Sequence, residues 1–183
     1  MFHEGPNTMI SENINTWRNL NQRIKSASAA LLVVFSIQCG AANIEGKVIK
    51  VADGDTVTVL DADNKQHRVR LTGIDAPERH QAYGGESTKS LRDLVYLKKV
   101  TVESSGTDRY RRILGKILLD GSDVNLEQVK RGFAWHYKHY EKDQTLEDRL
   151  NYADAEVWAR QQRLGLWILE SPVPPWEYRK DQR

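Results

Sequence analysis

The chain has 183 residues, of which 28% are charged and 39% hydrophobic, and a formal net charge of +2. This length and balance fit a folded domain with a substantial core and exclude a disordered chain. They also exclude a polycation that gathers anionic partners through a global field, so any such contact must come from a local basic patch.

The N-terminus reads as a targeting segment. Arg18, Arg23 and Lys25 precede a largely apolar run from Ala27 to Ile37. As a helix that run spans roughly 16 Å, about half a bilayer core. Gly40-Ala41-Ala42 supplies the small residues of a cleavage site, so residues 1–42 read as a signal peptide cut after Ala42, with Met1 or Met9 as the start. An uncleaved anchor is the alternative. Lipid attachment at Cys39 is disfavoured by Gln38, which stands where a small residue is expected. Cys39 is the one cysteine, so the mature chain would carry no disulfide and hold together by packing alone in an oxidising compartment. The predicted location is secreted or periplasmic, with no membrane association in the mature form.

Residues 43–52 alternate as a strand that ends at the turn formers Asp53-Gly54. Thr56-Val57-Thr58-Val59 is the next strand, and residues 66–74 form a third with Val69 and Leu71 on one face and Arg68, Arg70 and Thr72 on the other. A helix follows over 86–98, carrying Leu91, Leu94 and Val95. Strands are predicted over 100–104 and 113–119, with Asp108-Arg109-Tyr110-Arg111-Arg112 between them. Ser122 or Asp123 caps a short helix that stops at Gly132. Thr145 caps a longer one over 146–164, with Leu146, Leu150, Ala153, Val157 and Leu164 as its buried stripe and Gly165 as its stop. Pro172, Pro174 and Pro175 make residues 169–183 an extended tail. Five short strands with helices between and after them point to an α+β fold that is mainly β, with a small OB-type barrel as the leading candidate.

Asp53, Asp55, Asp75 and Glu78 are hard oxygen donors without Cys or His among them, a set suited to calcium or magnesium and not zinc. The same residues also serve ordinary turns. Arg70 lies five residues before Asp75, so in a regular strand the two would face opposite ways. A bend at Gly73 would bring them together. A guanidinium grips two phosphate oxygens at once and stays charged. Arg70 and Arg112, with a divalent cation, would neutralise the charge of a phosphorane-like transition state. A solvated face is the competing reading of Arg109-Arg112. His136 and His139 are three apart, but they have no third soft ligand nearby and are read as lending charge to a nucleic-acid surface. Trp135, Trp158 and Trp167 are read as packing residues.

Asp53 to Thr56, Val69 to Glu78 and Thr107 to Arg112, in that order and spacing, resemble the staphylococcal nuclease (thermonuclease) family. The resemblance covers residues 43–168 and extends to Gly132-Phe133-Ala134-Trp135 and Gly165-Leu166-Trp167. It implies a five-stranded OB barrel with three helices. It implies calcium held by Asp55, Asp75 and the backbone carbonyl of Ala76, where the family has threonine. Glu78 matches the glutamate assigned to the attacking water, Arg70 the arginine on the scissile phosphate, and Arg112 the arginine that assists the leaving oxygen. Arg111 stands where the family often has glycine, which makes it a rival to Arg112. Tyr110 matches a phosphate-contacting tyrosine, and Tyr140 one that packs on a base. Asp53 is a neighbour and not an assured ligand. The implied activity is a calcium-dependent endonuclease, monomeric, acting on DNA and RNA with little sequence preference and leaving 3′-phosphates. The alternatives are a non-catalytic nucleic-acid-binding barrel and, more remotely, an oligosaccharide-binding module.

Overall fold

The computed structural model describes residues 43–182; the predicted leader, residues 1–42, lies outside the described residues. Five strands make the barrel wall: β1 (Asn43–Asp53), β2 (Thr56–Leu60), β3 (Gln66–Leu71), β5 (Lys99–Thr107) and β6 (Ile113–Leu119). Strands β1, β2 and β3 form an antiparallel meander, and β5 pairs antiparallel with both β1 and β6. The parallel pairing of β3 with β6, Val69 beside Ile113, closes the sheet on itself. Closure removes the open edges that a flat sheet of this length would expose. The inward positions are the β-branched and aliphatic residues of the alternating runs: Val48, Val57, Val59, Val69, Leu71, Val102 and Ile117.

Short two-residue strands add detail at one end. Strand β4 (Ile74–Asp75) pairs with β8 (Trp135–His136), and β7 (Ser122–Asp123) extends the sheet beyond β6. Among the described residues, four α-helices accompany the barrel: α1 (Gly84–Val95), α2 (Val124–Lys130), α3 (Leu146–Gln161) and α4 (Pro175–Asp181). Asp123 caps α2 by accepting from the Leu126 amide at 2.9 Å, and Thr145 caps α3 by accepting from Asp148 at 3.0 Å. Each cap satisfies an otherwise orphaned amide at the helix start. Leu91 and Val95 bury the inner face of α1 against the barrel.

Three expectations are corrected. The predicted leucine stripe of α3 faces out: Leu146 is 64% exposed and Leu150 57%, and Val157 and Trp158 are about half exposed. The buried face is Tyr152, Ala155, Glu156 and Ala159. Two alanines let the helix approach closely, while Tyr152 donates to Asp123 at 2.8 Å and Glu156 accepts from Lys138 at 2.7 Å. Tyr152 and one oxygen of Glu156 thus have hydrogen-bond partners, with Arg160 3.5 Å from the other oxygen, and apolarity alone does not choose the face. Second, α3 ends at Gln161, and Arg163, with φ of 53°, makes the left-handed exit. Gly165 serves elsewhere: a Cβ there would lie 2.3 Å from the Gly132 carbonyl oxygen. The two glycine landmarks thus bring two backbones together, joined by the Leu166 amide donating to Gly132 at 2.9 Å. Third, the tail is extended only up to Pro174. Pro175 then occupies the first turn of α4, where a proline loses no intrahelical hydrogen bond and its fixed φ suits the helix.

Candidate active site

One end of the barrel gathers the acidic and basic residues singled out by the sequence. Asp55 sits at the hairpin between β1 and β2, its amide bonded to Asp53 Oδ1 at 3.1 Å. Asp53 therefore shapes the turn. Gly54 is required here, since a Cβ would lie 1.8 Å from Ser87 Oγ and 2.7 Å from Ala76 Cβ. Asp55 Oδ2 accepts from the Ala76 amide at 2.7 Å, which pins the β1–β2 hairpin to the loop after β4. Behind it, buried Gln128 donates to the Gly54 carbonyl at 2.9 Å and accepts from Ser90 at 2.6 Å. Ser87 donates to the Phe133 carbonyl at 2.7 Å.

Asp75 arrives by the bend that the sequence required. Gly73 adopts φ of +75° between β3 and β4. Arg70 then donates to Asp75 Oδ1 at 2.8 Å and forms an ion pair with Asp55 as well. Asn125, fully buried, holds this bend against β6 by donating to the Thr72 carbonyl at 3.0 Å and accepting from the Ile117 amide at 3.1 Å. Glu78 lies beyond Pro77, with its side chain 41% exposed. Its backbone is fixed by Gln81 and by the start of α1, where a Cβ on Gly84 would lie 2.0 Å from the Glu78 carbonyl oxygen.

The donor set is all oxygen, and its electrostatics favour a hard cation. Burial pushes the Asp55 carboxyl up to about 7; Asp53 and Asp75 push it the same way, and Arg70 opposes them. Packed carboxylates of this kind raise one another's pKa and are relieved by a positive charge between them. Among the described residues, no group of three or more His, Cys, Asp or Glu side chains converges as a ready cation cage. Guanidiniums bridge the acids instead. The donor chemistry of Asp55, Asp75 and the Ala76 carbonyl suits a hard cation such as calcium or magnesium, with Glu78 beside them.

Arg112 stands apart from the acids. Asp108 accepts from its amide at 2.9 Å and its Nε at 2.8 Å, and Arg112 lines a shallow surface cavity of about 200 Å³ with Arg68 and Tyr110. Arg111 takes φ of +62°, which accounts for the glycine preference noted at that position. Its side chain is exposed and Arg112's is clasped, so Arg112 is the better-positioned of the two. Tyr110 is exposed between Arg109 and Arg112, with guanidinium-to-ring distances of 4.8 and 5.6 Å. Tyr140 is also exposed, edge-on to Tyr137 at 5.5 Å. Tyr137 is tied to the site because its amide donates to the Gly73 carbonyl at 2.8 Å. Trp135 and Trp167 are buried against each other at 4.3 Å, as packing residues should be. His136 is a correction: it is buried, 3.0 Å from Gln144 Oε1, and presents no charge to a surface.

The residues of 68–169 match the family model described as "Staphylococcal nuclease homologue". The chain belongs to the staphylococcal nuclease family. An "Uncharacterized endonuclease" of Haemophilus influenzae is 38% identical over 164 residues, 90% of this chain and 89% of that protein. A protein of the same description from Escherichia coli is 45% identical over 150 residues, 81% of this chain and 94% of that one. A "Micrococcal nuclease" of Shigella flexneri is 34% identical over 166 residues, 86% of this chain and 92% of that protein. Staphylococcal nuclease homologues are generally metal-dependent, which agrees with the oxygen donors at this barrel end.

A residue that the sequence does not single out completes the cluster. Arg179, on α4, donates to Asp75 Oδ2 at 2.8 Å, to Asp75 Oδ1 at 3.1 Å and to Glu78 Oε1 at 2.8 Å. A usable signal lay in the tail: Pro175 as a helix start, Glu177 in the first turn, and Arg179 and Lys180 in the last.

Proposed function

We propose that the protein is a secreted or periplasmic calcium-dependent endonuclease that hydrolyses DNA and RNA phosphodiesters as a monomer, with little sequence preference, leaving 3′-phosphates. The observation that carries this reading is the convergence of Asp55, Arg70, Asp75 and Glu78 at one barrel end. The secreted location rests on the leader-like composition of residues 1–42. Among the described residues, no helix is long and apolar enough to cross a membrane.

Each side chain has a task in that reaction. Glu78, partly exposed, takes a proton from water as the water oxygen attacks phosphorus. Arg70 holds a permanent positive charge beside the reacting phosphate. The bond from phosphorus to the 5′ oxygen breaks, and Arg112 stabilises the charge that develops on that oxygen. Asp108 uses up only one side-chain donor of Arg112, and a guanidinium has five N–H groups. A calcium ion held by Asp55, Asp75 and the Ala76 carbonyl would supply Lewis-acid polarisation there. Tyr110 and Tyr140 offer exposed rings for the sugar-phosphate chain and for base stacking, contacts that tolerate sequence.

Purified protein assayed on single-stranded DNA with calcium tests the assignment. Arg70→Ala and Glu78→Gln should each lower kcat by about 10²-fold or more while the circular dichroism spectrum is retained. Wild-type rates in either variant would remove that residue from the reaction.

A further inference from the structure

The contact between α4 and the acids is more than a surface ion pair. Asp75 is fully buried, and both of its carboxylate oxygens are already engaged: Oδ1 by Arg70 and Arg179, Oδ2 by Arg179. The remaining reach of the same guanidinium goes to Glu78. Arg179 thus spans two of the carboxylates that the proposed function gives to the cation and the attacking water. Burial works against the Arg179 charge, but its hydrogen bonds to Asp75 and Glu78 hold it well above the ordinary arginine value.

Arg179 is delivered there by a docked segment. Gln81, which fixes the Glu78 backbone, donates to the Val173 carbonyl at 2.6 Å. Trp176 packs edge-on to Trp135 at 5.5 Å and lies tilted on Tyr137 at 5.4 Å. Trp135 pairs with Asp75 in the β4–β8 ladder, and the Tyr137 amide is bonded to Gly73. The aromatic anchor of the tail therefore rests on the same two short strands that present Asp75. One turn further along α4, Arg179 points back to the acids.

We propose that Arg179 is a built-in competitor for the cation, and that α4 is a latch which cation binding releases. The inference rests on the reading that these carboxylates hold a divalent cation. A cation coordinated by Asp75 needs at least one of the oxygens that Arg179 holds, and a second positive charge at that distance repels the guanidinium. The two states are mutually exclusive, so their equilibria are linked. Whatever stabilises the docked tail weakens cation binding, and the cation loosens the tail by the same factor. Half-maximal activity would then need a higher concentration of free cation. Arg179 is 39% exposed, so solvent screening keeps the coupling modest, and about a ten-fold effect on affinity is expected.

The test is isothermal titration of calcium chloride into the full chain, wild type and Arg179→Gln, with Trp176→Ala as a second variant that undocks α4 without altering the guanidinium. Both variants should bind calcium about ten-fold more tightly than wild type. In wild type, saturating calcium should speed amide hydrogen exchange across residues 175–181. Equal or weaker calcium affinity in the variants overturns the latch while leaving the cation reading intact. So does a lower kcat in Arg179→Gln with unchanged calcium affinity, which would make Arg179 a phosphate-holding group. Absence of calcium binding in all three proteins overturns both the latch and the cation reading.

Discussion

Asp108 shows how a single carboxylate can set the position of a guanidinium, that of Arg112. Burial would raise its pKa, but hydrogen bonds from the Arg112 amide and guanidinium and from the Tyr110 amide outweigh that and hold it below the ordinary value of 3.8. A carboxyl whose native pKa is depressed stabilises the fold above its unfolded value, and the contribution is lost as pH falls through the native value. The Asp108–Arg112 clasp should therefore persist to below pH 3.8. In an NMR titration of the Asp108 side-chain carbon, Arg112→Ala should move the midpoint back up toward the ordinary value. Asp108→Ala should lower kcat/KM by about ten-fold, the equivalent of 1.4 kcal/mol, with calcium affinity unchanged. At this scale the sequence was highly legible. Asp55, Arg70 and Asp75 meet because the Gly73 bend reverses the strand parity that would have separated them. Arg179 was legible only as part of a helix that starts at Pro175, because where that helix docks depends on no local spacing.

Among the elements, β4 and the β1–β2 hairpin matter most, and both are held by buried side-chain amides. Asn125 ties the β3–β4 bend to β6, and Gln128 ties Gly54 to α1. Asn125→Ala leaves the Thr72 carbonyl and the Ile117 amide without their side-chain partner. It should cost about 2–4 kcal/mol in urea unfolding, the range for several lost buried hydrogen bonds. Gly54→Ala should be worse for activity than for stability, because its Cβ would part Ser87 from Ala76, next to Asp55. The strands and the caps at Asp123 and Thr145 could be read directly, since alternation and capping are local effects. The inward face of α3 could not. Its outward leucines compete with Ala155 and Ala159, and only the approach of the barrel decides between them.

For the whole molecule, a net charge of +2 leaves nucleic-acid binding to a local patch. Arg68, Arg109 and Arg112 around Tyr110 form such a patch. If Arg68 contacts a phosphate, Arg68→Ala should reduce the slope of log K against log salt for single-stranded DNA by about 0.7 in chelator-containing buffer. A slope equal to wild type would place the strand elsewhere. The barrel is closed by β3 and β6, so the arginines on β3 and those before β6 are neighbours by topology. The central claim is that the acids and arginines at this barrel end hydrolyse phosphodiesters with a bound hard cation. It is tested most directly by titrating calcium, then excess chelator, into the protein with single-stranded DNA and identifying the product ends. Cleavage should depend on calcium, stop on chelation and leave 3′-phosphates. Cleavage indifferent to chelator, or products ending in 5′-phosphates, would contradict it.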